Sequence, residues 1–259
     1  MKISRDADLS GYDAARTRNN RDGLRRNPNL LWWYRNLYER QFEGIDNISG
    51  KVILEIGSGT SPLRLFYNNV ITSDILDLDY IDHKFDCHDI DTFNKIPDAG
   101  VDIITLTNVL HHLKEPVAFL VKAAAKLKPG GQIIFTEPYF SALSGFIYKH
   151  LHHERSDFNI SSPILSEICG PVSSSNMAIP YLVFFKRSDW RKPLDLIFSF
   201  SNKEAIYYSS LSYMMAGGIS RRIPIPRLLY KGIFKFDLWL TRTFPKAFSS
   251  FFIMKLRKN

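Results

Sequence analysis

The chain has 259 residues, of which 45% are hydrophobic and 23% are charged, and this balance excludes a disordered chain. Its two cysteines, Cys87 and Cys169, exclude both a disulfide framework and a metal site of four thiolates. We expect both thiols to be reduced, as is typical of a cytoplasmic protein. The N-terminal residues lack the apolar core of a secretory signal, and no run of about 18 apolar residues predicts a transmembrane helix.

The net charge of +8 is concentrated at the C-terminal end of the chain. Residues 220–259 contain ten Lys or Arg and one acid, Asp237, so their net charge is +9 and that of residues 1–219 is −1. This asymmetry predicts a polyanionic partner, either a membrane surface or a nucleic acid.

Short apolar runs alternate with helical stretches over much of the chain. The aromatic segment 28–42 predicts a helix before this alternation begins. The patterns then predict strands at 51–56, 70–74, 83–86, 101–106 and 132–137, a short helix up to about Asn68, and a helix at 116–127. Further on they predict an amphipathic helix at 140–152, a loop over 154–177, strands at 179–186 and within 203–215, and a helix at 227–244. Strands that are apolar on both faces and alternate with helices indicate a doubly wound, mostly parallel α/β sheet.

A glycine-rich turn, LEIGSGTSP (54–62), lies where the first strand ends. Gly57 and Gly59 allow a tight turn and the close approach of a ligand, although such a turn can also be purely structural. A binding site for a pyrophosphate group does not need the carboxylate of Glu55. A ligand with a cationic ammonium group would benefit from it. Asp74 ends the second strand, where an acid accepts hydrogen bonds from ribose hydroxyls. A ribose site beside a carboxylate for a cation indicates S-adenosylmethionine.

The chain resembles the cofactor domain of class I S-adenosylmethionine-dependent methyltransferases, in their broad type-11 group. The resemblance lies in LEIGSGTSP, Asp74, FDCHDI (85–90), VDIITLTNVLHHL (101–113) and LKPGGQIIFTEP (127–138). The chain departs from the family pattern at Ser61, which stands in place of the third glycine of the turn. The resemblance implies a Rossmann-like, seven-stranded mixed sheet, which we divide into an N-terminal helical cap (1–50), a methyltransferase domain (51–215) with an acceptor-side insertion (139–177), and a basic amphipathic tail (216–259).

The same resemblance implies a role for each cofactor residue. Glu55 would hold the methionine end, Gly57 and Gly59 would face the cofactor, and Asp74 would bind the ribose. Asp86 would accept from the adenine amino group beside the Cys87 backbone, and Asn108 would lie next to the methionine moiety. Two alternatives stay open: Asp86 as an ordinary loop acid, with Asp89 in its place, and Asn108 as a helix cap.

Methyl transfer to a hydroxyl requires a base, and histidine is suited to this role. His111 and His112 follow the fourth strand, at the carboxyl edge where α/β sheets bind ligands. His153 and Glu154 follow the fifth strand at the same edge, within the histidine-rich segment HLHHERSD (150–157). We therefore take these four residues as candidate catalytic groups. Metal ligation in the segment 150–157 and a surface helix end remain alternatives, and we assign no residue as a metal ligand.

The segments 136–154 and 175–185 resemble a subgroup associated with bacterial surface-polysaccharide biosynthesis. This predicts O-methylation of a sugar hydroxyl on a lipid-linked or surface polysaccharide such as lipopolysaccharide. The alternatives are a small lipid or quinone acceptor, RNA, and a non-catalytic subunit that only binds S-adenosylmethionine.

The segment 227–244 predicts a basic amphipathic helix. Its basic residues form one stripe (Arg227, Lys231, Lys235, Arg242) and its apolar residues form another (Leu229, Ile233, Phe236, Leu240, Phe244). We expect it to bind an anionic membrane surface, so that a cytoplasmic enzyme is held peripherally at the inner face of the membrane. The alternative is a helix that packs on the protein's own sheet, and nucleic acid is the less favoured polyanion.

Overall fold

The computed structural model describes residues 5–150, 152, 154–166, 168–170, 172–219 and 223–259, with side chains from Gly11 onward. Its strands are β1 (Ile53–Ile56), β2 (Val70–Asp74), β3 (His83–Lys84), β4 (Val101–Thr107), β5 (Leu127–Pro138), β6 (Phe198–Ser199), β7 (Ile206–Tyr208) and β8 (Phe251–Lys258). Its helices are α1 (Arg5–Arg25), α2 (Pro28–Gln41), α3 (Pro116–Ala123), α4 (Ala142–His150), α5 (Ala178–Tyr181), α6 (Ser188–Asp195), α7 (Leu211–Met215), α8 (Arg227–Thr243) and α9 (Pro245–Phe248).

The strands form one sheet in the order β3-β2-β1-β4-β5-β8-β6, and β7 also pairs with β8. The first five of these strands are parallel, while β8 runs antiparallel to β5, β6 and β7. Because β2 and β4 lie on opposite sides of β1, the strand order reverses there, and α/β sheets bind ligands at the carboxyl edge beside such a reversal. The predicted doubly wound mixed sheet is confirmed, with eight described strands in place of seven.

Helices cover both faces of the sheet. On one face, α3, α6 and the helical segment 178–186 pack on β4, β5 and β8 around Phe119, Phe135 and Phe252. On the other face, the aromatic residues of α2 pack with α8 around Trp33, Tyr230 and Phe234. The start of α2 is fixed locally, because the Asn27 side chain accepts a hydrogen bond from the Leu30 N–H and Pro28 occupies the first turn. None of the helices in the described part of the chain has the length and apolar character needed to span a bilayer.

Three sequence-based expectations about local structure are corrected. The segment 179–186 is helical and not a strand: α5 continues as a π-helical turn over Leu182–Lys186. The helix expected after the glycine-rich turn is a single 3₁₀ turn, Leu63–Leu65. Neither α1 nor β8 was expected from the sequence, although β8 pairs with β5 over seven residue positions, from Gln132 to Pro138.

Candidate active site

A cavity of about 1190 Å³ opens at the carboxyl edge of the sheet. Its wall contains Gly57 after β1, Asp74 at the end of β2, Asn108 after β4 and Pro138 at the end of β5. Pockets for a single small molecule usually measure about 300–1,000 Å³. The cavity is therefore large enough for a cofactor together with an acceptor.

The glycine-rich turn brings the backbone close to Asp74. Gly57 has φ +75°, and a Cβ there would lie 2.5 Å from Val109 Cγ2, so a side chain at this position would be strained and would clash. The Gly59 N–H donates to Asp74 Oδ2 (2.9 Å), and the Leu76 N–H donates to Oδ1 (3.0 Å). Burial raises the pKa of Asp74. Each carboxylate oxygen has a further lone pair that can accept from a ligand.

Glu55 is buried directly behind this turn and is connected to it through Ser61. The Ser61 hydroxyl donates to Glu55 Oε1 (2.5 Å), accepts from the Leu63 N–H (3.1 Å), and lies 2.9 Å from the Tyr38 hydroxyl. Tyr38 belongs to α2, so Ser61, which stands in place of the third glycine, joins the N-terminal helices to the turn. Burial raises the pKa of Glu55 to about 7. Its second oxygen, Oε2, is buried and has no hydrogen-bond partner among the described residues.

The remaining predicted cofactor residues lie farther along the same edge. Asp86 caps the turn that begins at Cys87, accepting from the His88 N–H (2.9 Å) and lying 2.7 Å from His88 Nδ1. The hydrogen bond from His88 lowers the pKa of Asp86. Asn108 has φ +57° and is not a helix cap, because Val109 occupies the capping position of the next turn. The Asn108 Oδ1 atom is buried and has no hydrogen-bond partner within the part of the chain that the structure describes.

These groups suit S-adenosylmethionine chemically. Glu55, Asp74, Asp86 and Asn108 all present oxygen acceptors, two of which have buried, unpartnered atoms. The cofactor would supply donors of the matching kind: an ammonium group, two ribose hydroxyls and an adenine amino group. Of the seven predicted cofactor residues, six line the cavity, and Glu55 lies behind its wall.

His111 is held between two carboxylates on the acceptor side of the cavity. Its Nδ1 lies 2.5 Å from Glu137 Oε2, and its Nε2 lies 3.4 Å from Glu154 Oε2. Burial disfavours the imidazolium, but the two carboxylates outweigh burial and raise the pKa of His111 to about 10. Both ring nitrogens therefore carry protons near neutral pH and donate to the carboxylates. The pKa of Glu154 is lowered, because the bonds to His111 outweigh its burial.

His112 is in the opposite protonation state. Its Nδ1 lies 2.8 Å from the Ser174 carbonyl oxygen, which can only accept, so Nδ1 carries the proton and Nε2 carries the lone pair. Burial, together with the charge of His111, lowers the pKa of His112 to about 4. His112 is thus a neutral imidazole in the cavity wall. The fourth candidate, His153, lies outside the described residues.

Among the described residues, two groups of side chains bring possible metal-ligating atoms within 4.8 Å of one another. One contains His111, His112 and Glu154, and the other contains Asp86, Cys87 and His88. In the first group, a metal bound to His111 Nε2 would replace the proton that His111 donates to Glu154. In the second, burial raises the pKa of the Cys87 thiol, which opposes the thiolate form needed for ligation.

The structure adds functional candidates that the sequence analysis missed. The acceptor side is lined by the aromatic side chains of Tyr34, Tyr148 and Tyr213, from three separate helices, together with Ser210. Glu137 accepts from the N–H groups of Val109 and Leu110 (2.9 and 2.7 Å) as well as from His111. Glu137 lies near the carboxyl end of β5, at the same edge of the sheet as His111, so its place in the predicted strand was a signal that could have identified it. No pattern in the sequence pointed to the three tyrosines, because they are far apart along the chain and only the tertiary fold brings them together.

Comparisons with known proteins identify the family of the chain. A family model described as a methyltransferase domain matches residues 20–167, which is more than half of the chain. A putative S-adenosylmethionine-dependent methyltransferase from Listeria monocytogenes is similar in fold, with a TM-score of 0.50, 12% sequence identity, and coverage of 87% of this chain and 98% of that one. A SAM-dependent methyltransferase from Archaeoglobus fulgidus gives a TM-score of 0.47 at 15% identity, covering 89% of this chain and 94% of that one. No curated protein matches the chain. The chain belongs to the methyltransferase-domain family and is an enzyme whose cofactor is S-adenosylmethionine.

Proposed function

We propose that this methyltransferase methylates a sugar hydroxyl on a lipid-linked or surface polysaccharide. The observation that carries the proposal is the lining of the cavity, which combines a neutral imidazole with three tyrosine side chains. Tyr34, Tyr148 and Tyr213 contribute aromatic rings that suit the apolar faces of a sugar, and the Tyr148 hydroxyl, which donates to the Ser250 carbonyl oxygen (2.6 Å), can still accept from a sugar hydroxyl. His112 offers a lone pair at Nε2 for the proton that a hydroxyl acceptor must lose.

The cofactor supplies an electrophilic methyl group when it is bound. Asp74 would hold its ribose, Asp86 its adenine amino group, and Glu55 and Asn108 its methionine end, in each case through an oxygen that accepts a hydrogen bond. These contacts would fix the position of the transferable methyl group relative to the acceptor. Positioning of this kind supplies much of the rate enhancement in a displacement reaction.

His112 Nε2 would take the proton of the acceptor hydroxyl as the new C–O bond forms. Burial and the charge of His111 disfavour the imidazolium produced, and the nearby Glu154 carboxylate offsets part of this effect. His111 would act as a positioning residue, because it is already protonated and donates to both Glu137 and Glu154. Glu137 accepts hydrogen bonds from two backbone N–H groups, so it would fix the orientation of the His111 ring and, through that ring, of Glu154.

A small lipid or quinone acceptor is a second candidate, favoured by the apolar residues of the same cavity wall. Met177, Met214, Ile219 and Ile223 give this wall an apolar surface, which suits an acceptor without a sugar. The same apolar surface is compatible with the lipid portion of a lipid-linked glycan, and the tyrosine side chains support the glycan as the first candidate.

A methyl-transfer screen tests the proposal. The purified enzyme and S-adenosylmethionine labelled with tritium in the methyl group are incubated with glycan, lipid and RNA fractions. We expect label in the glycan or lipid-linked glycan fraction, and we expect a His112→Ala variant to lose it while still binding the cofactor. Label only in quinones or simple lipids would establish the second candidate, and label only in RNA would refute both.

A further inference from the structure

The outer face of α8 exposes an unusual set of large apolar side chains. These are Leu228, Leu229, Phe236 and Trp239, followed by Phe244 just beyond the helix, and each is between 50% and 85% exposed. At 100° per residue, the four helical members fall within about 100° of one another on the helix surface. Exposure of these side chains to water is unfavourable. A continuous exposed apolar surface of this kind indicates an interaction site.

The helix is fixed to the protein through a different face. Tyr230, Phe234, Asp237 and Thr241 are buried, and they point toward α2, α7 and the sheet. The apolar stripe that was expected to contact either a membrane or the protein's own sheet is therefore only partly used for packing: Leu240 is buried, whereas Leu229 and Phe236 stay exposed. The outer face is thus not needed to hold α8 in place.

Basic residues line one edge of this face. Lys235 and Arg242 are exposed beside Leu228 and Trp239, and Arg227 extends the basic edge at the start of the helix. No Lys or Arg of α8 forms an ion pair with another described residue. An apolar surface with unpaired positive charge along its edge fits the boundary between lipid headgroups and acyl chains, where both kinds of group are satisfied.

We propose that the outer face of α8 docks this protein on an anionic lipid surface. A nucleic acid would satisfy the basic edge but would leave Leu228 and Leu229 in water, so the apolar residues favour lipid. Ile223, which is 39% exposed, lines the active-site cavity four residues before α8 begins. Docking would therefore bring one wall of the cavity close to the lipid surface. This inference depends on α8 alone and holds whatever the acceptor is.

Vesicle cosedimentation tests the proposal directly. The full chain is mixed with vesicles of phosphatidylcholine alone, or of phosphatidylcholine with 30% phosphatidylglycerol, at about 0.1 M salt, where charges within about 10 Å still interact. We expect sedimentation with the anionic vesicles and little with the neutral ones. Because each basic residue near an anionic bilayer contributes several-fold to binding, the Lys235→Gln/Arg242→Gln variant should bind about 30-fold more weakly. The Phe236→Ser/Trp239→Ser variant should bind at least about tenfold more weakly.

Matched controls come from an exposed region elsewhere on the protein. Leu196→Ser removes an apolar side chain that is 83% exposed, and Lys192→Gln/Lys203→Gln removes two exposed charges. Both controls should bind vesicles like the wild type. Trp239 fluorescence gives a second readout: emission should shift to the blue on vesicle binding, and Trp239→Phe should abolish most of the shift.

The proposal fails if the wild type stays in the supernatant with anionic vesicles, or if the α8 variants and the controls bind equally. It also fails if the chain binds RNA oligonucleotides but not vesicles, or if gel filtration shows a dimer that only the Phe236→Ser/Trp239→Ser variant dissociates. Circular dichroism and thermal unfolding must show folded variants, which we expect because the substituted side chains are exposed. The vesicles contain no glycan, so failure here would leave the proposed acceptor untouched.

Discussion

Replacing Glu55 with Gln is expected to stabilise the cofactor-free protein at alkaline pH and to change its stability little in acid. Burial raises the pKa of Glu55 from its usual 4.5 to about 7 in the folded state. The folded protein therefore resists ionisation of this group, and the difference is worth about 3 kcal/mol of unfolding free energy. Below pH 4.5 Glu55 is protonated in both states, so the wild type keeps its full stability. That contribution is lost as the pH rises through 7, whereas Gln does not titrate.

Urea unfolding at pH 5 and pH 9 measures this effect. The unfolding free energy of Glu55→Gln minus that of the wild type should increase by about 3 kcal/mol between the two pH values, because all other titrating groups cancel in the difference. Gln keeps an oxygen that can accept from the Ser61 hydroxyl, so the local hydrogen bond is preserved. Ser61→Ala is a useful control: it removes this bond, leaves the carboxyl in place, and should retain a wild-type-like loss of stability with pH.

The pH dependence of S-adenosylmethionine binding provides a second test of Glu55. An ionised Glu55 suits the ammonium group of S-adenosylmethionine, so the affinity of the wild type should increase between pH 6 and pH 7.5 relative to that of Glu55→Gln. Calorimetry in two buffers of different ionisation enthalpy would detect the proton that Glu55 releases on binding. Parallel stability profiles for the wild type and Glu55→Gln would refute the assignment of a raised pKa. Parallel affinity profiles would refute only the contact with the cofactor.

Three further predictions concern the same cavity. Asp74→Ala should weaken S-adenosylmethionine binding by about 100-fold in calorimetry, since hydrogen bonds to a charged group contribute about 1.5–3 kcal/mol each, and unchanged affinity would remove the ribose assignment. His112→Ala should lower the maximal rate by about 10²–10⁴ and leave cofactor affinity nearly intact. Because the pKa of His112 is about 4, the wild-type rate should be level between pH 6 and pH 9, and an inflection near 6.5 would point to another base. Activity should survive exhaustive chelation, because His111 Nε2 already donates to Glu154; loss of activity that a divalent cation restores would contradict this.

The cofactor half of the cavity could be predicted from the sequence because its residues depend on local features. Gly57 and Asn108 directly follow β1 and β4, Asp74 ends β2, and β1 and β4 are short, largely apolar runs that are buried in the fold. Parallel strands then bring their carboxyl ends to one edge without further information. Thus Gly57, Asp74 and Asn108 line one cavity although they are far apart in sequence. The charge states of His111 and His112 were not predictable, because they depend on Glu137 and the Ser174 carbonyl.

The sequence-based predictions of secondary structure are wrong where packing against the rest of the fold decides the local conformation. The run at 179–186 is continuously apolar, and such a run is equally compatible with a buried strand or a buried helix. The position beside β5 is occupied by β8, so this run covers the sheet as a helix, with Phe184 against Phe135 at a ring separation of 4.9 Å. β8 itself was missed because its last residues are basic. In the fold, Lys258 ends the strand and donates to the carbonyls of Ala124 and Leu127 (2.7 and 2.9 Å).

Asp237 shows how the C-terminal segment is joined to the active site. It is the one acid among residues 220–259, and its carboxylate is fully buried. It accepts from the Ser209 and Ser212 hydroxyls (2.8 and 2.6 Å) and from backbone N–H groups at the start of α7, including that of Ser210 (3.1 Å). A buried carboxylate needs this many donors, since an unpaired one would be strongly destabilising. Because α7 carries Tyr213 into the acceptor side of the cavity, Asp237 fixes that wall directly to α8. A partner bound to the outer face of α8 would therefore hold a constant position relative to the acceptor site.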